Sequence, residues 1–168
     1  SGKMIVSDPC YSRDTAPSIR GVLSNVKTGR WNAHVIQGDL DGWGRRNCEL
    51  IVLHESMDFD AAHSQAWLRA DGFYVGVDSG QAGFYDDAIF PQGEPGDYGD
   101  PTTFYGQACE LTLDTGANAG IIQSGGVVSS SGVGDGGYEC YTLQDENDQI
   151  IGSKIIFIDE DEEIEIEE

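Results

Sequence analysis

Glycine supplies 23 of the 168 residues, about twice its ordinary share, and it falls between short apolar runs rather than in one segment. Glycine weakens a helix from inside and marks corners between apolar runs, so this spacing predicts short strands joined by tight turns. No run of about 18 apolar residues interrupts the pattern, and a transmembrane helix is not expected.

Residues 3–7 read as a first strand that stops at Asp8-Pro9, because proline has no amide hydrogen to give a ladder. Residues 31–37 alternate Trp31, Ala33 and Val35 against Asn32, His34 and Ile36. Residues 47–55 are apolar on both faces and are expected to lie centrally. The glycine- and aspartate-rich stretch 38–44 between them predicts a hairpin. Residues 73–77 and 81–85, separated by Asp78-Ser79-Gly80, predict a second hairpin, and residues 138–143 and 150–158 a third around the polar turn 145–149. Residues 126–129 form another short strand, and the run 132–137 (GVGDGG) reads as a tight hairpin turn.

The stretch 91–100 (PQGEPGDYGD) suits only a surface loop. It runs into a helix signal over 102–115. Asp100 is placed to cap, Pro101 to take the first helical position, and Tyr105, Cys109 and Leu113 recur at spacing four, with Gly116 as the stop. A strand alternating Cys109, Leu111 and Leu113 is the competing expectation. Together these elements predict a mainly β fold, an antiparallel β-sandwich or a strongly bent sheet with one packed α-helix at about 102–115. The chain divides into a single β-rich domain, 1–158, and an acidic C-terminal tail, 159–168.

Thirty acids stand against nine bases, giving a formal charge of −21, and eight of the acids lie in the last ten residues. Such a field repels phosphate backbones and anionic membrane surfaces, so neither nucleic acid nor membrane is an expected partner, whereas a basic protein surface is. Cys10, Cys48, Cys109 and Cys140 form no CxxC pair and no disulfide lattice. Each is expected as a buried, reduced thiol, with Cys10 to Cys140 the one pairing worth testing, and a cytoplasmic location follows.

Four segments carry a family likeness: SGK…SDP at residues 1–9, TGRW at 28–31, VDSGQAGFYD at 77–86 and SSSGVGDGGYECY at 129–141. In this order they resemble the family known as domain of unknown function 4241. Its SSG-x-GDG-x-Y-x-x-Y signature at the C-terminal end is the most specific part. Glu139 and Cys140 fill positions where that family often has Pro and Val. The resemblance implies an architecture and no particular activity.

Asp8, Asp78 and Asp135 each follow an apolar segment at a turn. If folding gathers them at one end of a sheet they suit acid and base chemistry or a hard cation; otherwise they are turn residues accepting local amide bonds. Trp43, Ser79, Gln81 and Tyr138 are the accompanying ligand-binding candidates. Asp39 and Asp41 fall short of a calcium loop, His54-Glu55 with His63 does not match HExxH, and no metal or cofactor is expected. Ser79, Ser129, Ser130, Ser131, Cys10 and Cys140, with His34, His54 and His63, supply the residue types of a catalytic triad without its spacing. The expected function is therefore a non-enzymatic acidic binding protein recognising a basic protein surface. A small hydrolase or cation-dependent enzyme built on the carboxylates, and a structural or assembly subunit, are the alternatives.

Overall fold

The structure is a computed structural model and describes residues 1–40, 42 and 44–159. Trp43, Asp41 and all of the acidic tail except Asp159 lie outside the described residues. In chain order the elements are β1 (Met4–Ser7), β2 (Gly21–Leu23), β3 (Trp31–Leu40), β4 (Gly44–His54), α1 (Phe59–Ala62), β5 (Leu68–Arg69), β6 (Val75–Val77), β7 (Gln81–Asp86), α2 (Phe104–Leu113), β8 (Ala119–Ile122), β9 (Gly126–Ser130), β10 (Gly136–Gln144) and β11 (Ile150–Ile156).

The strands form two antiparallel sheets. One runs β2-β1-β7-β9-β8 and the other β3-β4-β11-β10-β5, with β6 pairing the first residues of β10. Alternation along each strand explains the layers. Val6, Ala82, Phe84 and Val127 of the first sheet meet Leu50, Val52 and Ile155 of the second in the central core. The intervening residues Ile5, Tyr85 and Val128 point to the opposite face of the first sheet, where Phe104 and Ala108 of α2 cover them. On the second sheet Ile51 and Leu53 face outward under Ala62 of α1. β4 is apolar on both faces because both are buried.

The hairpins β3–β4 and β10–β11 have the expected partners. Residues 73–77 and 81–85 do not form one. β6 pairs with β10 in the second sheet, and β7 lies between β1 and β9 in the first. The turn 78–80 is thus a corner between sheets. The glycine run 132–137 is likewise a crossover, carrying the chain from β9 to β10. Local turn chemistry is the same for a hairpin and for a corner; only the pairing partners differ.

α2 begins later than its sequence signal. Thr103 is the cap, its Oγ1 accepting from the Gly106 amide at 3.0 Å. Asp100 accepts instead from the amide and hydroxyl of Thr102 at 3.0 and 2.6 Å, one turn upstream. The buried residues are Phe104, Gly106, Ala108, Cys109 and Thr112, so of the expected 105/109/113 stripe Cys109 is buried while Tyr105 is partly exposed and Leu113 is 63% exposed. The short strands β2, β5 and β8 and the one-turn α1 carry too little periodicity to be seen in sequence. All four cysteines are free, as expected, so Cys10 and Cys140 do not pair, and Cys10 is partly rather than fully buried. Cys140 is buried with Sγ 3.3 Å from Ser153 Oγ, and burial pushes its thiol up to about 12.

Candidate functional site

Asp8 ends β1 at the corner and is wholly buried. Its Oδ1 accepts from the Cys10 amide at 2.8 Å and from the Ser79 hydroxyl at 2.6 Å. Its Oδ2 accepts from the Asp78 and Ser79 amides, both at 2.8 Å. A carboxylate offers about four lone-pair directions, and here four donors take them. None remains for a cation or a substrate proton.

Asp78, exposed, accepts from the Tyr11 hydroxyl at 2.7 Å. Burial, and then this carboxylate, push the Tyr11 phenol far above its ordinary value. Asp8, Asp78 and Ser79 therefore come together. Gln81 lies two residues on and is buried, donating to Cys109 Sγ at 3.4 Å. Asp135 sits exposed on the neighbouring crossover, which touches the corner through the Ser131 amide and the Gly80 carbonyl at 3.0 Å. Tyr138 is half-buried in β10, just past that crossover. Its hydroxyl donates to the carbonyls of Ser131 and Gly134, and its ring meets Phe157 edge-on. Tyr138 and Ser79 thus spend their polar atoms on holding turns. Among the described residues no three His, Cys, Asp or Glu side chains are grouped to hold a metal ion.

The histidines stand apart from this corner. His54 faces the Thr28 carbonyl and Ser56, whereas His34 and His63 pack on Phe59, one stacked and one edge-on. The residue types of a triad are present and are not assembled.

Two further features, a loop legible in the sequence and a cleft that was not, are more open to solvent. The first is the loop 91–103. Arg13 clamps its base: Nη1 donates to Asp87 Oδ1 at 2.8 Å, Nη2 to the carbonyls of Asp87 and Phe90, and Nε to that of Pro91. Farther along, the Tyr105 amide donates to the Pro95 carbonyl at 2.8 Å. Gly96 has φ +105°, and a Cβ there would collide with Thr103, so only glycine suits this close turn. Glu94, Asp97 and Tyr98 are displayed on the outside.

The second is a cleft of about 620 Å³ between the two sheets, where the edge strands β3 and β8 diverge. Met4, Val52, Phe84 and Val127 supply apolar wall and floor, and Lys3, Lys27 and Arg30 stand around the mouth. Asp86 also lines it. Burial alone raises this carboxyl, but bonds from the Ser1 amino group at 2.7 Å and the Ala88 amide at 2.9 Å outweigh that and hold it below its ordinary value.

The fold defines a two-sheet antiparallel β protein with flanking helices. Compared with protein-family models, curated proteins and solved structures, the chain finds no match. No helix among the described residues is long and apolar enough to cross a membrane.

Proposed function

We propose that the protein is a non-enzymatic binding protein that recognises a basic protein surface through the clamped acidic loop 91–103. Tyr98 carries this reading. At 71% it is the most exposed large apolar side chain among the described residues, and exposed Glu94 and Asp97 flank it. Tyrosine at the centre of a charged rim is the composition of an interface anchor, since its large ring orders at small entropy cost. A loop already held by Arg13 forfeits little further freedom on binding. The net charge of −21 would speed encounter with a cationic partner and make it salt-sensitive. The full set of bonds at Asp8 supports binding over carboxylate chemistry, because that side chain is spent on the corner. The likeness to the domain of unknown function 4241 belongs to the same proposal and adds no activity to it.

The test is affinity enrichment at low and raised salt with the wild-type chain and with Tyr98→Ala/Asp97→Asn. Partners should be more basic than background, should dissociate with salt, and should be depleted with the variant. Enrichment of proteins no more basic than background, or enrichment unchanged by the variant, would refute the proposal.

A further inference from the structure

We infer that the cleft between the sheets is a second binding site, which takes a small amphipathic anion: one carboxylate or sulfonate head on an apolar body. Its apolar interior is core side chain rather than surface. Val52, Phe84 and Val127 are 4%, 2% and 6% exposed, yet each forms part of the cleft wall. Ala33 leaves the room. It lies on edge strand β3 opposite Val52, and its methyl group covers little of the wall that a larger side chain would cover. The volume of about 620 Å³ falls within the roughly 300–1,000 Å³ of pockets for small organic ligands.

The charge at the mouth opposes that of the molecule. Elsewhere, four bases pair with carboxylates, Arg13 with Asp87, Arg45 with Asp39, Arg69 with Glu139 and Lys154 with Glu49, and Arg20 donates to the Arg13 carbonyl. At the cleft, Lys27 pairs with Asp145 at 3.9 Å, much as Lys154 does with Glu49, and Lys3 and Arg30 have no ion pair among the described residues. In a chain of 30 acids and 9 bases, a cleft lined by three bases and one acid departs from the overall balance. The one acid on the wall, Asp86, accepts from the Ala88 amide at 2.9 Å.

The segment bearing Lys27 and Arg30 is built in advance. The Trp31 indole donates to the Lys27 carbonyl at 2.9 Å, the Lys27 amide to the Ile150 carbonyl at 3.0 Å, and the Glu55 amide to the Arg30 carbonyl at 2.9 Å. His54 Nε2 lies 2.9 Å from the Thr28 carbonyl, and Gly29, at φ +128°, would bring a Cβ to 2.8 Å from that same nitrogen. The backbone that carries two of the cations is therefore fixed beside the apolar floor, and binding has only their side chains to order. The head group would sit among Lys3, Lys27 and Arg30, and the body over Phe84 and Val127. Neutral apolar compounds would gain the floor without the mouth, and inorganic anions the reverse.

Calorimetric titration of the full chain with decanoate, and fluorescence titration with 8-anilinonaphthalene-1-sulfonate, should each show one saturable site, with each probe displacing the other. Decanol should bind at least tenfold more weakly than decanoate. Lys3→Gln/Arg30→Gln should weaken decanoate at least tenfold, and Ala33→Trp should abolish binding of both probes, while circular dichroism and melting temperature of both variants stay near wild type. Saturation by neither probe, equal affinity for decanol and decanoate, or binding unmoved in the folded variants would overturn the inference. These outcomes are independent of the Tyr98 loop, so this site and that one succeed or fail separately.

Discussion

The Ser79 amide and hydroxyl bind the two oxygens of Asp8 at 2.8 and 2.6 Å, joining positions 71 residues apart. This contact sets the corner between β6 and β7 on the end of β1. Asp8→Ala would leave three amides and a hydroxyl without their acceptor in a buried site, and should cost about 3–5 kcal/mol. Ser79→Ala removes one hydrogen bond to a carboxylate and should cost about 2 kcal/mol. Urea denaturation measures both. An Asp8→Ala loss no greater than that of Ser79→Ala would show that the corner is held some other way.

Cys10 is only partly buried, yet its thiol is a poor nucleophile here. Burial, then the hydrogen bond and negative charge of Asp8, push it far above its ordinary value. Since thiolate is the reacting species, native protein at pH 8 should carry almost no iodoacetamide label on Cys10, and Asp8→Asn should raise the rate. Peptide mass spectrometry over a labelling time course reads this directly. Labelling at the rate of an ordinary exposed thiol would contradict the geometry.

Several tyrosines should resist ionisation together. Burial raises Tyr11, Tyr85 and Tyr138, and takes Tyr105 to about 12, while Tyr141 is raised first by its hydrogen bond to Glu139. An unfolded tyrosine titrates near 10, so the fold favours the protonated form. The resulting stability is complete below about pH 10 and is lost as pH rises through the raised values. Absorbance at 295 nm should therefore show a late phase that coincides with loss of the near-ultraviolet circular dichroism. All seven tyrosines ionising in one step near pH 10, with the fold intact, would exclude this.

Arg13 should be irreplaceable by lysine. Its planar guanidinium serves three backbone carbonyls and one carboxylate at once, and its carbon lies 5.5 Å from the centre of the Phe90 ring. A lysine is a single point charge with no such fork. Arg13→Lys should cost about 1–3 kcal/mol and speed limited proteolysis within 91–103. Cleavage at an unchanged rate would mean that other contacts hold the loop.

Much of the local architecture was legible. Alternation placed β3, and apolar runs bounded by polar or glycine-rich turns placed β4, β10 and β11 and the two hairpins, because in those segments the side chains on each face report their own burial. The proline- and glycine-rich stretch ahead of α2 announced a loop for equally local reasons. Of Asp8, Asp78 and Asp135, the three carboxylates that turn chemistry singled out, folding brings Asp8 and Asp78 together with Ser79 and leaves Asp135 exposed on the neighbouring crossover. The helix face was misjudged because the stripe that packs on the sheet is Phe104, Ala108 and Leu111, in which the small Ala108 gives a weak apolar signal beside Tyr105, Cys109 and Leu113.

Composition and short-range pattern alone settled a strand-rich chain, a strongly negative charge and a set of aspartate-glycine corners. Each follows from properties that a residue carries with its immediate neighbours. Tertiary structure alone decided that residues 78–80 and 132–137 pass between sheets, that Asp8 spends every lone pair on such a corner, and that Lys3 meets Lys27 and Arg30 across an apolar gap. Those depend on partners dozens of positions away, and no local periodicity encodes which strand will supply them.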